Sequence, residues 1–194
     1  MLIEKVNIPE ATRGSYRIER FTTDLEDVHS MLSGRGVPIG ESFTRLMRGR
    51  TVVMSDTPSE MRDHYSAVNV AKGSCLINGL GIGMVLSAIL RKEGVTDVTV
   101  VELSPEVIEM VAPSYQDSRV TIVQADALKY KPPVGKHYQM VWHDIWDYIC
   151  ADNLSQMHAL HRKYGRRTDW QGSWCRSLCE RAEQQYKKER RWHL

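Results

Sequence analysis

Through the middle of the chain, short apolar runs alternate with stretches of helical periodicity. Cys75 to Asn78 (CLIN) is an apolar run that leads into glycines. From Met84 to Lys92 (MVLSAILRK), Val85, Leu86, Ile89 and Leu90 share one helical face, and Gly94 stops the helix. Val98 to Leu103 (VTVVEL) reads as a second strand. Ser104 then caps a helix with Pro105 at its first position and a stripe of Val107, Ile108 and Val111. Val120 to Ala125 (VTIVQA) and Tyr138 to His143 (YQMVWH) complete four strands. Strands that are apolar on both faces and alternate with helices predict a parallel sheet covered on both sides.

The flanks differ in texture. Before about Gly73, Ser15 to Thr23 (SYRIERFTT) and Arg50 to Ser55 (RTVVMS) read as β-strands. Gly34, Gly36, Pro38 and Gly40 crowd the loop between them, and Asp56 to Ala71 reads as a turn and a helix. From about Trp146 onward no strand pattern is visible. Two or three helices are expected there, one carrying Trp170, Trp174, Leu178 and Ala182 at helical spacing. The expected fold is an α/β doubly wound, Rossmann-like parallel sheet truncated after its fourth strand. One domain, 1–194, would hold an N-terminal β/helix extension (1–72), an α/β core (73–147) and a helical C-terminal part (148–194). Tyr138 to His143 would then be an apolar sheet edge to be covered by the C-terminal helices, by an N-terminal strand or by a second subunit, and a homodimer is the favoured cover.

Composition changes this picture little. Hydrophobic residues make up 42% and charged residues 26%, as in ordinary globular chains. No apolar run approaches the roughly 18 residues of a membrane span. The start, MLIEKVNIPE, lacks the order of a signal peptide, so a cytoplasmic location is expected. Four scattered cysteines are too few for a disulfide scaffold. His158, His161, Cys175 and Cys179 are too loosely spaced to predict zinc. Residues 151–194 carry a net charge of +5 and the rest −3. With Trp170, Trp174, Tyr186 and Trp192, this basic tail admits a nucleic-acid partner without requiring one. Arg45, Arg48 and Arg50 read as a solvated face.

In an open parallel sheet, ligands bind beyond the carboxyl ends of the strands. Here the first strand is followed by Asn78-Gly79-Leu80-Gly81-Ile82-Gly83, the second ends at Glu102, the third at Asp126 and the fourth at Asp144, with Asp147 three residues later. Glu102 lies 19 residues past Gly83, a spacing that places a carboxylate under a ribose. Asp126 is placed to accept from an adenine amino group, and Leu80, Leu103 and Leu128 could wall the base. The G-x-G-x-G spacing departs from the G-x-G-x-x-G that cradles a pyrophosphate. It suits a nucleoside whose tail is an amino acid or an amine.

The stretch from Gly73 to Asp147, with VELSPEVIEM and DSRVTIVQADAL as its clearest phrases, resembles class I S-adenosylmethionine-dependent methyltransferases. Within them it is most similar to the spermidine synthase-like branch. The resemblance implies an S-adenosylmethionine cofactor, or its decarboxylated form. It implies cofactor contacts from Asn78, Gly79, Leu80, Gly81, Gly83, Glu102, Leu103, Asp126 and Ala127. The D-x-x-D spacing of Asp144 and Asp147 matches that branch, which implies a catalytic pair. Asp144 would keep an acceptor amine unprotonated, Asp147 would attract it, and Trp146 or Tyr148 could face its charge. The branch's aminopropyltransferases hold the cofactor's amino group with an acid where this chain has Ile82. Many methyltransferases use an acid where this chain has Ile77. The expected activity is methyl transfer to an unidentified small-molecule acceptor, with an amine among the candidates. Aminopropyl transfer, a non-catalytic binding module and cofactor cleavage are the alternatives. No metal and no membrane partner are expected.

Overall fold

The computed structural model describes residues 3–23, 38 and 40–192. Gly34, Gly36 and the side chain of Trp192, all singled out above, lie outside the described residues. The N-terminal part forms an antiparallel four-stranded meander of β1 (Ala11–Arg13), β2 (Tyr16–Thr22), β3 (Ser42–Arg48) and β4 (Thr51–Ser55), adjacent in that order. Strand β3 is an addition to the expected pair, built around the buried Phe43 and Leu46. Gly49, at φ 58°, turns it tightly into β4. Asp56 locks this sheet to the chain start, its carboxylate accepting from Val6 N–H at 3.0 Å and Thr44 N–H at 2.6 Å. Helix α1 (Pro58–Val70) follows.

The second sheet has five parallel strands: β5 (Gly73–Asn78), β6 (Val95–Glu102), β7 (Val120–Gln124), β8 (Tyr138–His143) and β9 (Thr168–Ser173), ordered β7-β6-β5-β8-β9. Taken by sequence this is a 3-2-1-4-5 sheet, and its order reverses between β5 and β8. Right-handed crossovers place α2 (Met84–Leu90) and α3 (Pro105–Val111) on one face and α4 (Asn153–Tyr164) on the other. Helix α1 packs on α2, β8 and β9; α5 (Arg176–Trp192) packs on α4. Ser104 caps α3 as expected, its hydroxyl accepting from Val107 N–H. The core lies under β5, β6 and β8, whose Cys75, Leu76, Val100, Met140 and Val141 are inaccessible.

Strand β9 corrects two expectations. The sheet does not stop at the fourth strand, and Trp170 lies in a strand rather than on a helix with Trp174, Leu178 and Ala182. Its sequence, TDWQGS, shows no apolar alternation, because an outer strand needs little of it. Its support is tertiary. Trp170 stacks on Trp142 of β8 with centroids 6.3 Å apart, and Gln171 meets His143 at 3.3 Å and donates to His161 O at 3.0 Å. Strand β8 is therefore an inner strand, paired along both sides. The bare edge that argued for a homodimer does not exist.

Gly172 sits where the two indoles meet. A Cβ there would lie 2.6 Å from Trp170 and 2.8 Å from Trp142. Gly172→Ala is expected to destabilise the chain by about 1–3 kcal/mol, at roughly 2–4 °C of melting temperature per kcal/mol. Thermal unfolding checks this; an unchanged midpoint would mean β9 is not seated on β8 as described.

Candidate functional site

A cavity of about 350 Å³ opens where the strand order reverses, beyond the carboxyl ends of β5, β6 and β8. Its floor is set by a close approach of backbones. Asp144 N–H donates to Asn78 O at 2.8 Å, and Gly79 N–H donates to Val101 O at 2.8 Å. Gly79 has φ 98°, and a Cβ on it would overlap the Asp144 carbonyl oxygen. Gly81 is covered by the Met54 sulfur and Gly83 by the Tyr115 ring. The loop glycines thus admit neighbouring groups of the protein itself; Gly79 and Gly81 also line the cavity, and Gly83 does not.

At the end of β6, the Glu102 carboxylate braces two turns at once. One oxygen accepts from Leu80 N–H at 2.8 Å and the other from Ser104 N–H at 2.8 Å. Each oxygen keeps a further lone pair for a ligand. Asp126, at the end of β7, accepts from Leu128 N–H at 2.8 Å. Lys163 of α4 pins the same loop, donating to Ala127 O at 2.9 Å. Leu103 and Leu128, both exposed, lie against the cavity with Ala127. Asn78 and Leu80 do not line it. The Asn78 amide instead reaches the His143 Nδ1 at 2.7 Å, and Leu80 is buried in the core.

Asp144 and Asp147 both line the cavity, in different states. Asp144 is 12% exposed. Burial first, then the nearby Glu60, Asp63, Glu102 and Asp147 carboxylates, hold it well above the usual carboxylate range, favouring the neutral acid. His64 stands behind it, Nε2 3.7 Å from Oδ2, fully buried with neither ring nitrogen hydrogen-bonded. Burial pushes His64 down to about 4. Asp147 is ion-paired with Arg48. Trp146 also lines the cavity, its indole N–H donating to Gln156 at 2.8 Å; Tyr148 is exposed and does not line it.

The sequence did not foretell the opposite wall. Tyr16, Leu46, Arg48, Val53 and Met54 reach the cavity from the antiparallel sheet. Leu46 and Arg48 share a face of β3, and Tyr16 pairs with Arg48 across the ladder. Arg48 is thus a wall residue rather than part of a solvated face, whereas Arg45 is held by Glu19 at 2.7 Å. The alternation of SFTRLMR was the signal that could have found this strand. Trp174 lines the cavity as well and Trp170 is stacked in the sheet, so among the described side chains considered for stacking nucleic acid Tyr186 stays exposed. Among the described residues no cluster of His, Cys, Asp or Glu is placed to hold a metal, and no helix is long and apolar enough to cross a membrane.

The strand order and its switch-point cavity define a doubly wound, Rossmann-like α/β fold. No protein family and no curated protein matches the chain. Among solved structures it is similar to spermidine synthase from Thermotoga maritima (16% identity, TM-score 0.48, 79% of this chain and 52% of that one). It is also similar to an S-adenosylmethionine-dependent methyltransferase from Mesorhizobium loti (15%, TM-score 0.43, 55% and 49%). A third is the 23S rRNA methyltransferase ErmE (16%, TM-score 0.45, 58% and 43%). The chain spans about half the length of these structures or less. These likenesses concern the fold.

Buried groups make stability depend on pH. His64 and His143, pushed down to about 4 and about 3 by burial, stay neutral when folded and take up protons on unfolding below pH 6.5. Their contribution is complete above pH 6.5 and is lost as pH falls toward those values. Asp144, raised by burial, works oppositely: the folded acid releases its proton on unfolding above about pH 4. On acidification from pH 6 to 4.5 the two histidines therefore lower stability, and Asp144 opposes them. Asp144→Asn is expected to raise stability at pH 7 and to steepen its loss on acidification. Urea unfolding across this range checks both; a variant less stable than the parent at pH 7 would show that Asp144 is not buried as an acid.

Proposed function

We propose that the cavity binds S-adenosylmethionine and that the chain is a methyltransferase acting on a small-molecule acceptor. The observation that carries this reading is the pairing of Glu102 and the glycine loop at the switch point with a wall of five carboxyl side chains, Glu60, Glu102, Asp126, Asp144 and Asp147. Such a wall favours a ligand of positive charge. Glu102 would accept from ribose hydroxyls, Asp126 from the adenine amino group, and Leu103 and Leu128 would flank the base. The cofactor supplies an already activated methyl carbon, so the chain's task is alignment and proton removal.

Asp144 is the group placed for proton removal. In the free protein it favours the neutral acid, which cannot act as a base. Positive charge entering beside it lowers its pKa, so Asp144 would lose its proton when the cofactor arrives and face the acceptor as a carboxylate. An acceptor amine would enter between Asp144 and Trp146, where the indole face favours a cation.

Aminopropyl transfer is the second reading, favoured by the presence of both Asp144 and Asp147 on the cavity wall. The Arg48 ion pair weighs against it, because Asp147 is already neutralised by a residue of the chain.

Calorimetry at pH 7 in buffers of different ionisation heat tests the proposal. S-adenosylmethionine is expected to release more proton on binding than S-adenosylhomocysteine, whose sulfur is uncharged, and Asp144→Asn should abolish the difference. Glu102→Gln should weaken both ligands about tenfold, or 1.4 kcal/mol. Absence of binding would sink the cofactor assignment. Equal proton release by the two ligands would remove Asp144 from its role while leaving the cofactor in place.

A further inference from the structure

A ligand lying over the glycine loop with its ribose at Glu102 must end somewhere, and the usual places to hold an amino-acid tail are missing. Ile77 and Ile82 occupy them, 2% and 0% exposed, and neither can offer a charge to the cavity. The cavity is also lined from the turn side of the antiparallel sheet, where Tyr16 opens β2 and Arg48 ends β3.

Arg48 stands out by charge. Among the described residues lining the cavity it is the one cation, facing five carboxyl groups. Its side chain is 49% exposed, while that of its partner Asp147 is 15% exposed. The guanidinium is thus the open member of the pair. It carries five N–H donors in a planar fork. The bond to Asp147 and the neighbouring Tyr16 hydroxyl occupy part of that fork. The remaining donors suit a second carboxylate, which the fork can meet in bidentate fashion. A purely cationic tail would find no reason to approach this group.

We propose that Arg48 anchors the α-carboxylate of the cofactor's amino-acid end and so selects the carboxylated cofactor over its decarboxylated form. The proposal rests on the adenosyl reading of the cavity given above. In this arrangement the cofactor's carboxylate joins Asp147 on one guanidinium, and its ammonium turns toward the acids around Asp144. The antiparallel sheet is then a working part of the site, because its hairpin carries the selecting residue.

The test is titration calorimetry of the full chain with three uncharged-sulfur probes: S-adenosylhomocysteine, its decarboxylated analogue S-adenosyl-3-thiopropylamine, and 5′-methylthioadenosine, which keeps the nucleoside alone. The parent is expected to bind S-adenosylhomocysteine at least tenfold more tightly than the decarboxylated analogue. Arg48→Met should erase that preference while leaving 5′-methylthioadenosine within twofold, which also shows that the variant is folded. Arg48→Lys should restore part of the preference, since charge returns without the fork. A parent without preference, or an Arg48→Met variant that keeps it, overturns the anchor while the adenosyl site stands. If none of the three probes binds, the adenosyl reading itself fails and the anchor falls with it.

Discussion

The ends of β5 and β8 come so close at Gly79 that a side chain there would overlap the Asp144 carbonyl oxygen. That approach is possible because the sheet order reverses between these two strands, so their following segments diverge to opposite faces. The backbone bond from Asp144 N–H to Asn78 O holds the pair, and the Asn78 amide ties in the buried His143 behind it. With that seam fixed, the glycine loop, Glu102 and Asp144 fall around one space. Glu102 ties β6 to the seam by accepting from Leu80 and Ser104 together. A polar group at the strand end is therefore structural and cavity-lining at once.

The parallel sheet was legible because buried strands are written in apolar runs. CLIN, VTVVEL, VTIVQA and YQMVWH each contain an observed strand or most of one. So were the acids at the strand ends, since each follows its run directly. Two parts escaped. Strand β9 is polar because it is an outer strand, held by the Trp142–Trp170 stack and by Gln171, and such contacts leave no period in the sequence. The wall of Tyr16, Arg48 and Met54 escaped because it depends on how a separate sheet docks on the core. Arginines spaced two or three apart look solvated until the strand bearing them is placed. The edge argument for a dimer falls away for the same reason as the missing strand: the edge that demanded a partner is paired within the chain.

The glycine motif illustrates how far a pattern reaches. Three glycines at alternate positions predicted a loop that a ligand approaches closely. In the folded chain, each of the three is also approached by the protein: by the Asp144 carbonyl, the Met54 sulfur and the Tyr115 ring. The Tyr115 hydroxyl donates to Ile82 O at 2.9 Å, fixing the loop from the helix side. The same absence of side chains that admits these groups leaves Gly79 and Gly81 as bare backbone at the cavity floor. The motif was therefore correct about space and silent about what fills it.

The electrostatic design of the cavity follows from where these acids are forced to lie. Glu60 comes from α1, Glu102 from β6, Asp126 from the turn after β7, and Asp144 and Asp147 from the segment after β8. No one segment requires the cluster; the converging strand ends assemble it. Gathering like charges around a buried carboxyl opposes its ionisation, and Asp144 responds by favouring the neutral acid beside a neutral His64. The lining of this cavity is left short of positive charge. Arg48 supplies part of it, but paired with Asp147 and not with Asp144. The remaining deficit lies at the centre, above the seam between β5 and β8. Positive charge delivered there by a ligand would relieve the repulsion and convert Asp144 from an acid into a base in the same event. Binding energy and chemical competence would then have one source, because the charge that makes the ligand welcome is the charge that frees the carboxylate to act.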